Sequence, residues 1–248
     1  MGTIGRLNYV QKHCLGRTGL FMKETGQLRE GARLGIALSG GVDSMLMTKL
    51  LLLRRQIVPF SFELMVLHVN PGFDTACHAP IAQWCAANGL AAHFEVMNIG
   101  PEAHSEKNRK KSPCFYCAWF RRKKLFELCK TYRLSHLAFG HTGDDLVATL
   151  FMNMTKTATM KGMSGRSEYF GGELTLIRPM LLLHKKEVIK AARAWDLPVV
   201  KNPCPSSGSS ERAAVEQRLH ETFVERKTWE NVFRAVTRWQ LDSDRLIL

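Results

Sequence analysis

A chain of 248 residues, 45% of them hydrophobic and 23% charged, has an ordinary globular composition. It is long enough to bury a sizeable core, as one large α/β domain or as one domain with an extension. No uninterrupted apolar run is long enough to span a bilayer, which excludes a membrane-spanning class. The net charge of +13, from 35 basic and 22 acidic residues, is concentrated: residues 107–124 hold Lys107, Arg109, Lys110, Lys111, Arg121, Arg122, Lys123 and Lys124 with no acid among them, whereas residues 211–248 are balanced. Such a patch is the electrostatic footprint of a polyanion, although a solvated helix face would carry the same charges. The N-terminus lacks a signal-peptide core and Arg6 spoils an acylation pattern, so the expected location is cytoplasmic, with no membrane partner.

In chain order, residues 6–28 read as a helix and 33–38 as a buried strand, followed by a helix to about residue 55. A second strand is expected over 62–69, a short helix over 80–88 and a third strand over 92–97. Residues 98–113 read as a loop, 115–132 as a helix, 134–139 as a fourth strand and 144–154 as a helix. A Gly- and Thr-rich loop over 155–172 precedes a fifth strand at 174–178, a helix at 185–195 and a short last strand at 198–200. The alternation predicts an α/β fold with a parallel, Rossmann-like sheet covered by helices on both faces. The expected division is an N-terminal helical segment over 1–30, the α/β domain over 31–210 and a C-terminal helical extension over 211–248. Ligands of such sheets sit beyond the carboxyl ends of the strands.

The first motif with chemistry is Ser39-Gly40-Gly41-Val42-Asp43-Ser44, between strand one and its helix. Adjacent glycines let the backbone turn tightly and present amides to an anion at a helix N-terminus. The serines add hydroxyls, and Asp43 could hold a metal against phosphate or cap the helix. No Gly-Lys-Ser/Thr follows, so this is no Walker A loop. The second motif, Gly140-His141-Thr142-Gly143-Asp144-Asp145, occupies the same predicted sheet edge. Its paired carboxylates suit magnesium, and equally suit a helix cap plus a first-turn acid. His141 is a general-base candidate by proximity alone.

The third motif is Cys114-Phe115-Tyr116-Cys117, inside the basic patch, with Cys204 in a Pro-flanked turn. Three thiolates fit an iron–sulfur cluster or zinc, and spacing leaves the two open. Cys14, Cys85 and Cys129 lie in apolar helical patterns and read as core, and Cys77 is a minor site candidate. The aromatics Phe115, Tyr116, Trp119 and Phe120 are expected in the core, the alternative being stacking on bases.

Together these motifs resemble the tRNA 2-thiocytidine synthetase (TtcA-type) family of the PP-loop ATP pyrophosphatase superfamily, over about residues 7–218. The resemblance rests on SGG-x-DS at 39–44, C-x-x-C with Arg121-Arg122, G-H-x-x-D-D at 140–145, Met160-Lys161-Gly162-Met163, Ile177-Arg178-Pro179 and Pro203-Cys204. It implies ATP bound by Ser39, Gly40, Gly41, Val42, Asp43, Ser44 and Gly140, and magnesium organised by Asp43 with Asp144 or Asp145. It also implies a [4Fe–4S] cluster on Cys114, Cys117 and Cys204 with one iron open to sulfur. RNA contacts are expected from Lys110, Lys111, Arg121, Arg122, Lys161 and Arg178, with His141 near the reacting atoms. The implied reaction is adenylation of a cytidine C2 oxygen in the tRNA anticodon loop, at position 32, and its replacement by sulfur from a cysteine desulfurase. A homodimer is compatible with this reading. Val42 stands where that family usually has Lys, and Ser207 where it often has a further Cys. A PP-loop synthetase acting on a small molecule or another tRNA base, or a non-catalytic zinc- or RNA-binding module, are the alternatives.

Overall fold

A computed structural model describes residues 5–109, 111–208 and 211–245. Six strands, β1 (Arg33–Ala37), β2 (Glu63–Asn70), β3 (Ala91–Val96), β4 (His136–Ala138), β5 (Arg166–Tyr169) and β6 (Leu174–Ile177), form one sheet in the order β3-β2-β1-β4-β6-β5. All neighbours are parallel except β5, which pairs antiparallel with β6 at the edge. The order reverses between β1 and β4, and the crevice at such a switch point is where open α/β sheets bind ligands.

Side chains alternate across the sheet as strand geometry requires. Leu34, Ile36, Val66, Ala138 and Ile177 enter the core under helices α1 (Tyr9–Glu24), α2 (Val42–Arg54), α3 (Ala79–Ala87) and α7 (Lys185–Ala194). Leu67, Leu137 and Leu174 enter the opposite core, beneath α4 (Ile99–Ala103) and α5 (Pro113–Thr131). Gly35 sits where the flanking strands crowd: a Cβ there would stand 2.9 Å from Leu134 Cδ1 and 3.3 Å from Leu67 Cδ1. A third core joins α6 (Gly143–Thr157) to α8 (Glu211–Thr222) and α9 (Arg226–Arg245) through Leu146, Leu150, Leu219, Trp229 and Phe233. No helix is long and apolar enough to cross a membrane among the described residues.

Three local expectations change. The loop over 98–113 contains the short helix α4, and the loop over 155–172 contains β5, whose Arg-Ser-Glu-Tyr sequence has no apolar alternation to betray an edge strand. Residues 198–200 form no strand. Instead the Val200 N–H donates to the Gly40 carbonyl at 2.9 Å. That bond ties the segment before Cys204 to the turn after β1.

Candidate active site

The turn after β1 needs glycine at one position above all. Gly40 has φ +87°, and a Cβ there would stand 2.6 Å from Ile81 Cδ1. Gly41 caps α2 without a side-chain hydrogen bond, so the first-turn amides of α2 are left for an anion. Ser44 is buried, and its hydroxyl donates to the Gly41 carbonyl at 3.0 Å and accepts the Ser39 N–H at 3.1 Å. Ser44 therefore shapes the turn from inside, and the Ser39 hydroxyl, on an exposed residue, bonds the Ser44 hydroxyl at 3.0 Å. Val42 packs partly against the core beneath the turn. The loop after β4 comes against this turn so closely that a Cβ on Gly140 would stand 3.0 Å from the Ser44 amide nitrogen.

Asp43 does not cap its helix. Both its oxygens accept from Lys185 Nζ at the start of α7, at 2.6 Å for Oδ1. Burial raises its pKa, opposed by the Lys185 charge, with Asp145 and Arg212 also within electrostatic reach. The adjacent carboxylates of the second motif part company. Asp145 closes a capping box, its Oδ2 accepting from the Thr142 N–H at 2.8 Å, and its Oδ1 lies 3.3 Å from Arg212 on α8. Asp144 instead turns to the backbone of Lys185, whose N–H donates to Oδ2 at 2.7 Å, and burial pushes its pKa up to about 6. The helix-cap reading holds for Asp145, and Asp145 rather than Asp144 shares the field of Asp43. His141 stacks near Phe139, has a buried Nδ1 without a hydrogen-bond partner, and is held well below the usual imidazole range by burial. It is neutral at pH 7.

Cys114 and Cys117 occupy the first turns of α5, and Cys204 reaches them from the loop after α7. Cys114 Sγ lies 3.9 Å from the Ser206 carbonyl, and Ser206 Oγ bonds His104 Nε2 at 2.7 Å, anchoring that loop across 102 residues of sequence. Burial raises the thiol pKa values of Cys114 and Cys117, each is raised further by Cys204, and Arg121 lowers that of Cys117. The three thiols therefore share one electrostatic neighbourhood. Three convergent thiols with the Arg121 guanidinium beside them form a soft donor set that fits an iron–sulfur core. Cys77 does not join them: its sulfur accepts from Asn70 Nδ2 at 3.5 Å. Cys14, Cys85 and Cys129 are core residues, at most 2% exposed.

The basic segment divides as well. Lys107 pairs with Glu102 at 2.9 Å and Lys124 with Glu95 at 3.4 Å. Arg121 faces inward to Cys117 and His68, while Arg122 is exposed. Lys110 lies outside the described residues. Phe120 packs in the core, but Phe115 and Trp119 do not: they are 51% and 58% exposed, stacked with centroids 6.5 Å apart, with Lys111 Nζ 4.9 Å above Phe115. The core expectation fails for these two. Beside Trp119 a groove of about 790 Å³ runs past Arg122, Lys123, Phe126 and Phe170. Lys161 is exposed, whereas Arg178 is mostly committed inside, its Nη1 donating to the Ser164 carbonyl at 2.6 Å.

Three residues that no motif flags belong to this site. Lys185 and Arg212 balance Asp43 and Asp145. His68, 3% exposed, donates Nδ1–H to the Leu38 carbonyl at 2.7 Å, which fixes its tautomer and leaves a buried, unpartnered Nε2 lone pair beside the turn. Their only sequence signal is position: Lys185 and Arg212 lie at helix starts, and His68 lies two residues before the end of β2.

A PP-loop domain family matches residues 16–223. A tRNA-cytidine(32) 2-sulfurtransferase of Geobacter sulfurreducens is 31% identical over 200 residues, covering 81% of this chain and 77% of the relative. The corresponding protein of Vibrio cholerae is 29% identical over 218 residues, covering 86% and 69%. Among solved structures, the U34-tRNA thiolase NcsA from Methanococcus maripaludis with its [4Fe–4S] cluster superposes with a TM-score of 0.72 at 23% identity, covering 94% of this chain and 80% of that one. An NMN synthetase from Francisella tularensis gives 0.53 at 13% identity, covering 96% and 97%. These two are likenesses of fold.

Proposed function

The chain belongs to the PP-loop domain family, and within it we propose an ATP-dependent, iron–sulfur-dependent tRNA sulfurtransferase that replaces the C2 oxygen of an anticodon-loop cytidine with sulfur. The similarity to curated tRNA-cytidine(32) 2-sulfurtransferases supports the reaction and the tRNA substrate. The observation that carries the reading is convergence: the uncapped start of α2, the Asp43–Lys185 and Asp145–Arg212 pairs and the three thiols lie around loops tied together by the Val200–Gly40 bond.

In this reading the amides at the start of α2 and the Ser39 hydroxyl hold the phosphates of ATP. Fixed donors around a transferring phosphate are the main catalytic lever in such chemistry. Asp43 and Asp145 would hold the magnesium that accompanies ATP, and Lys185, whose Nζ bonds Asp43, would add positive charge beside the phosphates. The cytidine C2 oxygen attacks the α-phosphorus and pyrophosphate leaves. A sulfur nucleophile then adds at C2 and AMP departs with the original oxygen. When bound, a [4Fe–4S] cluster held by Cys114, Cys117 and Cys204 supplies an iron without a protein ligand, where that sulfur can be offered. Arg121, between Cys117 and His68, supplies positive charge to the thiolates. Phe115 and Trp119, with Lys111 above, offer a stacking platform for unpaired bases beside the exposed Arg122. A cysteine desulfurase is the sulfur donor, and the cytoplasm the compartment, that this chemistry calls for.

The test is anaerobic incubation of cluster-loaded protein with tRNA, ATP and sulfide. The expected products are 2-thiocytidine in the tRNA, AMP and pyrophosphate, with AMP formation dependent on tRNA. ADP and phosphate as products, or equal AMP formation with a small-molecule acceptor and none with tRNA, would overturn the reading.

A further inference from the structure

Helix α8 carries metal-binding side chains that the proposed reaction does not use. Glu216 and His220 stand four residues apart on α8 and so share one helix face. Opposite them is Asp144, 5% exposed, in the first turn of α6. One ligand atom from each, two carboxylate oxygens and an imidazole nitrogen, lies within 4.8 Å of the others.

The charges of this cluster are not balanced by its neighbours. Glu216 and Asp145 press on Asp144 as like charges, opposed by the backbone N–H of Lys185 and by the nearby His220 ring. The nearby cations are engaged elsewhere, Lys185 Nζ by Asp43 and Arg212 by Asp145. A second imidazole nitrogen faces the same carboxylate: His184 Nδ1 is buried, has no hydrogen-bond partner and stands 3.9 Å from Asp144 Oδ2, its ring held against Phe233 with centroids 3.4 Å apart. Two carboxylates facing each other with imidazole nitrogens around them make a cation site.

We propose that Asp144, Glu216 and His220 bind a divalent transition-metal ion of the zinc class, distinct from any magnesium carried with ATP. Imidazole mixed with carboxylate selects zinc-class ions over magnesium, which prefers an all-oxygen octahedron. His220 is exposed and gives the ion a way in, while Asp144 anchors it at the base. The ion clamps α8 to the start of α6. Because Arg212 lies one turn before Glu216 on the same helix, the clamp also fixes the partner of Asp145.

The test uses cluster-loaded protein, so that the cysteine thiols are occupied, without ATP or tRNA. Zinc is titrated calorimetrically and the thermal midpoint is read at each ratio, with magnesium as the comparison ion. The expected result is one zinc per chain with a rise in midpoint. His220→Ala and Glu216→Gln should each weaken zinc by about tenfold or more, the loss that even an outer-shell partner's removal causes. Their metal-free midpoints should stay near wild type, since neither side chain is buried. No zinc bound, undiminished binding in both variants, or an equal response to magnesium would overturn the proposal. The readout is independent of thiolation, so its failure leaves the reaction assignment standing.

Discussion

Neighbouring residues of one type do opposite things in this site. Gly40 has φ +87° and no room for a methyl, whereas a Cβ on Gly41 would meet only Ser39 Oγ at 3.6 Å. Gly40→Ala is therefore expected to lose ATP affinity by tenfold or more while Gly41→Ala keeps the fold's stability near wild type, as calorimetry and thermal melts would show; equal effects would refute the distinction. Asp144 and Asp145 part in the same way, as do Arg121 and Arg122. The sequence identifies each pair but cannot divide it, because successive residues at a helix start point in different directions and the partners arrive from α7 and α8. Lys185 and Arg212 are illegible for the same reason: each is an ordinary surface cation until the fold sets it beside an acid. Buried histidines predict a pH response. Burial pushes His68 and His136 from 6.5 down to about 4, so both are neutral in the fold. Their contribution is complete above pH 6.5 and is lost as pH falls towards 4, up to about 3 kcal/mol each. Urea midpoints measured across that range should fall less steeply for His136→Gln than for wild type; parallel curves would exclude His136 as a cause.

At the scale of elements, the strands with apolar runs were readable, because parallel strands buried on both faces have nearly continuous hydrophobic sequence. That the loops after the strands share one sheet edge follows from a parallel sheet, whereas the strand order and its switch point between β1 and β4 come from the structure alone. The edge strand β5 was not readable: Arg166-Ser167-Glu168-Tyr169 pairs by backbone with β6 and buries no side chain. Phe115 and Trp119 depart from the core expectation because α5 turns those two outward, whereas aromatic residues usually fill the buried side of a helix. The buried strand β1 underlies both motif loops. Ile36→Ala, at a site 0% exposed, should cost about 2–5 kcal/mol in denaturant unfolding; a loss well below that range would mean the core collapses around the gap. Helix α8 reaches the site through Arg212, and Arg212→Ala should lower turnover while leaving ATP affinity within a few-fold of wild type. An unchanged rate would remove α8 from the reaction.

At the scale of the whole molecule, the net charge is +13, and an exposed aromatic pair stands on α5, the helix that also carries Cys114 and Cys117. Phosphate-led tRNA binding should weaken with salt by about 0.7–0.9 log units per log unit of salt for each phosphate contact. Arg122→Ala with Lys123→Ala should flatten that slope, and a slope unchanged by the pair would move the RNA to another face. We propose that Cys114, Cys117 and Cys204 form one iron–sulfur site serving tRNA thiolation beside the ATP loop. The measurement that tests it most directly is the 2-thiocytidine content of tRNA made by anaerobically reconstituted Cys204→Ala beside wild type, with iron and visible absorption read on the same samples. The account predicts that the variant loses the cluster absorption and the thiolated product together while still binding ATP. Thiolated tRNA from a variant without the cluster, or a wild-type protein that takes up zinc and no iron at the three cysteines, would contradict it.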